Sequence, residues 1–408
     1  MRILLLSQWF TPEPTFKGVG FARALRARGH HVQVLTGFPN YPGGKLYPGY
    51  KVQPHTLEVL DGIPVHRVPL YPSHDSGRLG RLANYASFAL SAAILGPALI
   101  EPADVAYVYH PPITIGIPAL SLKMLRGIPF VLDIQDLWPD TLAATNMVSN
   151  KAVLGATGRF CSAIYRSASR LVVLSPGFKS VLVSRGVPED KIEVIYNWCD
   201  GDVASPAPSS RKLADGIDWE GRFNIIFAGT MGKAQDLDTV LRAAALLQAD
   251  TPQVQFVLIG GGVEVKRLRA AAEEMALTNV QFLPRVPMRE IGAILSSAEA
   301  LLIHLRADPL FEITIPSKTQ AYLAAGRPIL MGVNGDARNL LREAGAGICF
   351  EPGDAEGLAA STRLLVNMSQ EDRERLGLNG RAYYVNNLSL DIGVSRFELL
   401  LDEVATGG

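Results

Sequence analysis

Short apolar runs recur along the first half of the chain, and most of them show no regular alternation with polar residues. Such runs are typical of parallel strands that are covered on both faces of a sheet. Helical stretches lie between most of them, beginning with Val19 to Arg28, which is ended by Gly29. The predicted strands of this half are Ile3 to Ser7, His31 to Thr36, Pro64 to Val68, Val105 to Tyr109, Phe130 to Ile134, Arg170 to Leu174 and Ile192 to Ile195.

The alternation stops at residues 197–220, where Asp, Gly, Pro and Ser dominate, and this composition predicts a linker over residues 201–221. The alternation then restarts. The strands predicted beyond the linker are Phe223 to Ala228, Gln255 to Ile259, Val280 to Leu283, Ala300 to His304 and Ile329 to Met331. The predicted helices are Leu237 to Gln248, Glu264 to Met275, one that begins at Ala337, and further helices that continue through Tyr384.

This order of elements predicts an α/β protein with two doubly wound, Rossmann-like domains, at residues 1–200 and 222–387. Such domains bind ligands at the carboxyl ends of their strands, so we expect a ligand in a cleft between the two. Residues 388–408 contain the amphipathic segment Leu390 to Val404, which we expect to form a helix that crosses back to the first domain.

Length and composition agree with this division, because a chain of 408 residues is longer than an ordinary domain with a single core. With 48% hydrophobic and 19% charged residues, the chain is typical of a globular protein and not of a disordered one. The net charge of zero hides an asymmetry. Residues 1–200 contain 19 Lys and Arg against 13 Asp and Glu, and the remainder contains 20 against 26. A positive first half favours an anionic partner such as a phosphorylated acceptor or an acidic membrane face, although scattered surface charge explains the counts equally well.

Three widely spaced cysteines argue against a disulfide framework or a zinc site and favour a reducing, cytoplasmic compartment. The N-terminal apolar run is too short for a signal peptide and is better explained as a buried strand. The stretch from Leu82 to Ile100 is the longest apolar one, but it contains polar residues and Pro97, which makes it a poor membrane span. A buried helix and a helix lying on a membrane surface both remain open for it.

One segment of the second half has the chemistry of a phosphate site. Phe311 to Gln320 brings a carboxylate, a hydroxyl and an ammonium (Glu312, Ser317 and Lys318) to the start of a predicted helix, where unpaired N–H groups and the helix dipole favour anions. Glycine turns follow the first strand of each domain, at Gly18 and at 229–233. The glycine fingerprint of dinucleotide-binding domains and the P-loop are both absent from the chain.

These motifs resemble those of the family-four retaining glycosyltransferases, which have the GT-B fold. The resemblance covers nearly the whole chain and is carried by Gln8-Trp9-Phe10, Pro12-Glu13-Pro14, Gly18, residues 37–42, residues 133–140, residues 229–236, residues 260–262 and Pro316-Ser317-Lys318. Within that family the chain looks most like bacterial O-antigen and capsule transferases assigned to N-acetyl-L-fucosamine. The resemblance implies that the second domain holds a UDP-sugar and the first holds the acceptor.

The implied donor site departs from the family at several positions. An Arg and a Lys usually hold the diphosphate where this chain has Thr230 and Gln235, so we expect Lys233 and Lys318 to supply the charge. The second glutamate of the family's pair is also missing, which leaves Gln320 as a ribose contact. The full set of predicted donor contacts is Gly18, Gly229, Thr230, Lys233, Gln235, Gly260, Gly261, Arg285, Val286, Glu312, Ser317, Lys318 and Gln320.

The implied catalytic position is Gln135, where the family usually has a histidine that contacts the transferred sugar. An amide cannot act as a base, so transfer must rely on positioning and on stabilising the leaving group, with Asp136 and Glu13 as the nearest acids. The predicted acceptor contacts are Asn40, Tyr41 and His110. Asp200-Gly201-Asp202 resembles a metal motif but lies in the linker, so we interpret it as a turn. We predict no metal and no cofactor besides the UDP-sugar.

The leading hypothesis is a hexosyltransferase that moves a sugar from a UDP-sugar to a polyprenyl-diphosphate-linked acceptor at the inner face of the cell membrane. It would take part in assembling O-antigen or capsular polysaccharide, and it has no expected nucleic-acid partner. A nucleotide-sugar epimerase or hydrolase of the same fold is the alternative enzyme. A non-catalytic protein that binds UDP-sugars is the third hypothesis, because clamp residues are missing.

Overall fold

The computed structural model describes residues 1–73, 78–144, 148, 150–199, 201, 217 and 219–407. The chain divides into two compact units, one of Met1–Tyr196 with Gly393–Gly408 and the other of Asn197–Ile392. Each contains one sheet with helices packed against it, so the prediction of two doubly wound α/β domains is confirmed. The linker predicted at 201–221 and the turn at 200–202 lie largely outside the described residues.

The first unit is built on an eight-stranded sheet. Its strands are β1 (Arg2–Ser7), β2 (His31–Gly37), β3 (Thr56–Leu60), β4 (Ile63–Val68), β5 (Val105–His110), β6 (Phe130–Ile134), β7 (Arg170–Val173) and β8 (Ile192–Val194), in the spatial order β3-β4-β2-β1-β5-β6-β7-β8. All pairs are parallel except β3 with β4. The sequence prediction missed β3, an edge strand whose side chains alternate between exposed and half-buried, because only the buried strands form continuous apolar runs.

Six helices of this unit connect or cover the strands. They are α1 (Val19–Ala27), α2 (Arg78–Leu99), α3 (Gly116–Arg126), α4 (Asp140–Ala144), α5 (Lys151–Ser167) and α6 (Pro176–Ser184). Helix α2 packs against α3 and against strands β2 and β4. Among the described helices, only α2 is long and apolar enough to cross a membrane by length and composition, over Leu79–Leu99. Only 28% of its most apolar window is buried, whereas the core helix of a globular protein is mostly buried.

The second unit repeats the plan with six strands, all parallel. They are β9 (Phe223–Thr230), β10 (Val254–Gly261), β11 (Val280–Leu283), β12 (Ala300–His304), β13 (Ile329–Gly332) and β14 (Gly347–Cys349), in the order β11-β10-β9-β12-β13-β14. The helices are α7 (Asp238–Gln248), α8 (Val265–Glu274), α9 (Met288–Ser297), α10 (Pro309–Glu312), α11 (Lys318–Ala325), α12 (Asp336–Ala344), α13 (Ala355–Asn367) and α14 (Gln370–Tyr383). Strands β9 and β12 are neighbours in the sheet although they are not consecutive in the chain. The order of the strands therefore reverses at β9, and the carboxyl edge of the sheet has a topological switch point there.

The last helix, α15 (Leu390–Thr406), returns the chain to the first unit. Its Phe397 is fully buried between Phe21 of α1 and Tyr107 of β5, with ring centroids 5.4 Å away from each. Ion pairs also join the helix to this unit, among them Arg28 with Glu398 at 2.8 Å. The C-terminal residues therefore complete the core of the unit that the N-terminal residues begin.

Candidate active site

Three glycines bring the backbones of β9 and β10 into contact at the carboxyl edge of the second sheet. Gly229, Gly260 and Gly262 all have positive φ, between 142° and 155°. A Cβ on Gly260 would lie 1.9 Å from the carbonyl oxygen of Gly229, and one on Gly262 would lie 2.2 Å from that of Met231. Only glycine fits such an approach. Gly229 and Gly262 are exposed, so this part of the edge is accessible to a ligand.

Lys318, the first residue of α11, points its ammonium at this edge. Its Nζ lies 3.5 Å from the centre of the Phe227 ring, and a Cβ on Gly229 would lie 3.2 Å from the same Nζ. The nitrogen is buried although the rest of the side chain is partly exposed, and no hydrogen-bond partner exists for it among the described residues. Burial lowers the pKa of Lys318 to about 7. A buried cation without an anion is costly, so Lys318 is a candidate for binding an anionic ligand.

Tyr322 joins helix α11, which carries Lys318, to strand β9. It follows Lys318 by four residues on α11, so the two side chains share a helix face. Its buried hydroxyl accepts a hydrogen bond of 2.8 Å from the backbone N–H of Ala228, the residue before Gly229. The sequence prediction missed Tyr322, although its spacing from Lys318 was a usable signal.

His304, at the end of β12, holds the loop that follows β9. Its Nδ1–H donates to the carbonyl of Gln235 at 2.9 Å, and its Nε2 accepts from the N–H of Gly353 at 3.1 Å. Burial lowers its pKa, and the two bonds together define a neutral ring with the proton on Nδ1. Gln235 is used in the same loop, because its side-chain oxygen accepts from the N–H of Gly232. The structure thus gives Gln235 a role in shaping the loop.

The other predicted donor contacts differ in how exposed they are. The Arg285 side chain packs against the backbone of Gly261, and a Cβ on Gly261 would lie 3.1 Å from the Arg285 Nε. Gln320 is buried, and its amide nitrogen is oriented to donate to the carbonyls of Pro316 and Ser317, so the structure does not present it to a ribose. The exposed members are Thr230, Lys233, Arg285, Glu312 and Ser317, and Val286 is half-buried.

In the first unit, Asp133 at the end of β6 is the centre of a buried polar cluster. It accepts from the Tyr107 hydroxyl at 2.5 Å and from the Gln135 amide at 2.6 Å, and it pairs with Lys17 at 2.7 Å. The side chains of Lys17 and Asp133 are fully buried. A buried ion pair with further hydrogen bonds is a rigid arrangement. Asp133 therefore fixes the orientation of Gln135, because a carboxylate can only accept and so must face the amide's N–H₂ group.

Glu13 ties two loops of the first unit together. One oxygen accepts from the N–H of Phe10 at 3.1 Å, and the other accepts from the N–H groups of Asn40 and Tyr41 at 2.8 and 2.7 Å. Burial raises the pKa of Glu13 to about 7, against the opposing effect of these donors. With three backbone partners and only 3% of its surface exposed, Glu13 serves the loops and not a substrate.

Three predicted contacts in this unit are enclosed by the protein. Asn40 is buried, with its side-chain oxygen accepting from Asn84 at 3.0 Å. His110 is fully buried, and burial lowers its pKa to about 3, so the structure does not place it on an accessible face for an acceptor. Gly18 is also buried, and the N–H that follows it, on Val19, donates to the Thr11 hydroxyl at 3.2 Å. That amide is therefore already engaged, contrary to the predicted phosphate contact.

Three members of the predicted set, Tyr41, Gln135 and Asp136, are partly exposed. Asp136 follows Gln135, and burial raises the pKa of its carboxyl. The Tyr41 ring stacks on Trp9, with centroids 4.7 Å apart. All three members follow strands at the carboxyl edge of the sheet, where ligands of doubly wound folds bind.

Comparison with known protein families agrees with this geometry. Residues 19–198 match the glycosyl transferase 4-like domain, and residues 212–383 match the glycosyl transferases group 1 domain. The chain belongs to the two-domain glycosyltransferases. This glycosyltransferase is similar to two curated relatives over most of its length. It is 26% identical over 394 residues to the putative colanic acid biosynthesis glycosyl transferase WcaI of Escherichia coli K12, covering 89% of this chain and 91% of the relative. It is 25% identical over 280 residues to the probable glycosyltransferase WbjE of Pseudomonas aeruginosa, covering 68% of each.

Solved structures share its fold along nearly the whole chain. HepE of Anabaena, solved in complex with UDP-glucose, superposes with a TM-score of 0.70 at 18% identity and covers 99% of this chain and 100% of its own. WaaG, a glycosyltransferase involved in lipopolysaccharide biosynthesis, superposes with a TM-score of 0.66 at 17% identity, with 99% and 100% covered. At these identities the likeness establishes the fold alone.

Proposed function

We propose that this glycosyltransferase uses a UDP-sugar as its donor and binds the diphosphate with Lys318. The observation that carries the proposal is the buried Lys318 ammonium, which has no hydrogen-bond or ion-pair partner among the described residues and lies beside the exposed backbone of Gly229. A diphosphate would supply the missing negative charge, and the N–H groups at this edge would add hydrogen bonds. HepE, which shares the fold, was solved with UDP-glucose, and that supports the choice of donor.

Transfer with retention of configuration is the reaction that these residues suit. The acceptor oxygen bonds to the anomeric carbon as the bond from that carbon to the diphosphate oxygen breaks, and the acceptor's proton passes to the departing diphosphate. Gln135 cannot remove a proton, and Asp133 is already occupied by three partners. Lys318 stabilises the charge that develops on the leaving group. No metal is needed in this scheme, so a chelator is expected to leave turnover unchanged.

A lipid-linked acceptor carrying a diphosphate, presented at the inner face of the cell membrane, is the second part of the proposal. Helix α2 exposes four large apolar side chains, Leu79, Leu82, Leu90 and Ile94, each more than half exposed. Arg81 lies on the same helix, half-buried, and its Nε has no hydrogen-bond partner among the described residues. Apolar side chains beside an available cation suit a surface that meets lipid and phosphate together.

Polysaccharide assembly is the biological role that we infer from the relatives. WcaI is named for colanic acid biosynthesis and WaaG for lipopolysaccharide biosynthesis. The transferred sugar is an N-acetylhexosamine in this proposal, with N-acetyl-L-fucosamine as the first candidate.

The test is a panel of UDP-sugars incubated with polyprenyl-diphosphate monosaccharides and followed by mass spectrometry. We expect transfer with at least one N-acetylhexosamine donor. Lys318→Ala should lower kcat/KM by well over tenfold because a charge-assisted contact to the leaving group is lost. Lys151→Ala is the matched control, since Lys151 is an exposed lysine of the first unit that is not among the predicted donor contacts, and it should change kcat/KM by no more than about threefold.

Other outcomes would identify the alternatives. Conversion of the UDP-sugar without any acceptor would indicate an epimerase or a hydrolase. Binding of UDP with no product on any acceptor would indicate a non-catalytic protein. Equal rates for wild type and Lys318→Ala would remove Lys318 from the donor site.

A further inference from the structure

Three aromatic side chains form a group at the carboxyl edge of the first sheet. Trp9 follows β1, Tyr41 follows β2, and Tyr85 lies on α2. Trp9 and Tyr41 stack with centroids 4.7 Å apart and an interplanar angle of 29°, and Tyr85 meets Trp9 edge-on at 6.3 Å. All three are half-buried, so part of each side chain is in contact with solvent. We call this group the aromatic shelf.

The loops that carry the shelf are held in place by the protein itself. Glu13 accepts hydrogen bonds from the N–H groups of Phe10 and Tyr41. Phe10 follows Trp9 in the chain, and Tyr41 is itself one of the stacked residues. The Tyr47 hydroxyl donates to the Tyr41 carbonyl at 2.8 Å. A preformed surface spends little conformational entropy on binding. Partly exposed rings that are fixed in this way are suited to a ligand with a flat apolar face.

A carboxylate with unused acceptors lies close to the shelf. Asp136 follows β6 at the same carboxyl edge of the sheet as the loops after β1 and β2. Burial raises the pKa values of Tyr85 and Tyr109, and the charge of Asp136 contributes to the increase in both. Throughout the part of the chain that the structure describes, no hydrogen bond or ion pair involves the Asp136 carboxylate, and burial alone raises its pKa. Asp133, near the end of β6, is saturated by Tyr107, Lys17 and Gln135. Asp136 is thus the acid that remains for a ligand.

We propose that the aromatic shelf and Asp136 form a subsite for a neutral sugar ring of the glycosyl acceptor. The apolar C–H face of a pyranose packs on the rings, whose faces carry partial negative charge, and a ring hydroxyl donates to the Asp136 carboxylate. The ring faces and Asp136 both repel a carboxylate on the sugar, and Arg81, whose charge acts on Tyr85 from the same helix, opposes this repulsion. The position beside Asp136 therefore favours a sugar hydroxyl, and with it neutral sugars over uronic acids. The inference rests on the proposed function in one respect, which is that the bound sugar is the acceptor.

The experiment uses the full chain and three probes: methyl glucoside, methyl N-acetylglucosaminide and methyl glucuronide. Saturation-transfer NMR reports which sugar protons contact the protein, and competition gives relative affinities. We expect the neutral glycosides to bind, with strongest saturation on the C–H protons of one ring face. The glucuronide should bind at least about fivefold more weakly. Equal or tighter binding of the glucuronide would overturn the subsite.

Paired variants separate the roles of ring and hydroxyl. Tyr85→Phe keeps the ring and should retain binding, whereas Tyr85→Leu should weaken binding by about fivefold or more. Asp136→Asn should weaken it by about tenfold, since a charge-assisted hydrogen bond is lost. Thermal unfolding and UDP affinity, which depends on the second unit, verify that each variant is folded. Unchanged glycoside binding by folded Tyr85→Leu would contradict the proposal.

Transfer assays then distinguish this subsite from the proposed function. If glycosides bind the shelf but no UDP-sugar is transferred, the subsite stands and the proposed function fails. If transfer occurs and Tyr85→Leu and Asp136→Asn leave the acceptor KM unchanged, the function stands and the subsite is wrong. If both variants raise the acceptor KM while Tyr85→Phe does not, both are supported.

Discussion

Burial disfavours the charged form of Lys318, and a bound diphosphate would reverse this preference. In the unliganded protein the pKa of Lys318 falls from 10.5 to about 7, because the ammonium is removed from water. The negative charge of a diphosphate would raise the pKa again. UDP binding then takes up a proton whenever the pH lies above about 7, and the affinity must fall as the pH rises through that range.

We therefore expect the dissociation constant for UDP to increase by roughly tenfold between pH 6.5 and pH 8.5, measured by isothermal titration calorimetry. Lys318→Ala removes the titrating group and serves as the reference, because ionisation of UDP itself remains in that variant. Lys318→Arg keeps its charge across this range and should follow the reference slope. A wild-type slope equal to that of Lys318→Ala would show that Lys318 does not sense the diphosphate.

The Tyr322 hydroxyl should contribute both to stability and to UDP binding. Tyr322→Phe leaves the N–H of Ala228 without its acceptor and should lower the free energy of unfolding by about 1–3 kcal/mol. It should also weaken UDP binding, because Tyr322 holds α11 against β9. Tyr384→Phe is a matched control within the same unit, since its buried hydroxyl is bonded by the Cys199 thiol. Comparable loss of stability in both variants, with UDP affinity reduced only by Tyr322→Phe, is the expected result.

Sequence reasoning selected Lys318, since an ammonium at a predicted helix start after Ser317 is a local pattern. It selected Asn40 and His110 as ligand contacts as well, and both are buried. The difference lies in burial, which depends on neighbours that are distant in the chain. Asn84, for example, reaches Asn40 from 44 residues away.

At the scale of elements, α15 completes a core that begins at the other end of the chain. Phe397 packs on Phe21 and Tyr107, and its ring lies 5.1 Å from the Lys17 ammonium. Phe397→Ala should destabilise the first unit by about 3–5 kcal/mol, because the cavity cannot close fully. Chemical denaturation would measure the loss.

The control for this prediction is on the same helix. Leu399 is 72% exposed, so Leu399→Ala should change the free energy of unfolding by no more than about 0.5 kcal/mol. If Phe397→Ala were equally mild, α15 would not be an integral part of this unit.

At the scale of the whole molecule, the first half of the chain carries both the excess of Lys and Arg and the exposed apolar face of α2. Both favour contact with anionic lipid. We expect the protein to sediment with vesicles of phosphatidylglycerol and phosphatidylethanolamine, more weakly as salt is raised. The double variant Leu82→Glu with Ile94→Glu should reduce the bound fraction severalfold, since each charge must enter the interface.

Two exposed leucines of the second unit provide the comparison. Leu364 and Leu378 are 58% and 65% exposed, similar to Leu82, and the corresponding double variant should bind vesicles like the wild type. Equal loss in both double variants would mean that added negative charge, and not the face of α2, explains the effect.

The sequence by itself determined the two α/β domains, because buried parallel strands form continuous apolar runs that need no partner to be recognised. It also determined Lys318 and the glycines at 229 and 260, which are local signals. Tertiary structure alone decided which polar groups remain available. Glu13 and Gln235 support loops, Asp133 is saturated, and the charged groups of Asp136 and Lys318 have no hydrogen-bond or ion-pair partner among the described residues. The physical reason is that hydrogen-bond satisfaction and desolvation depend on groups brought together from distant parts of the chain.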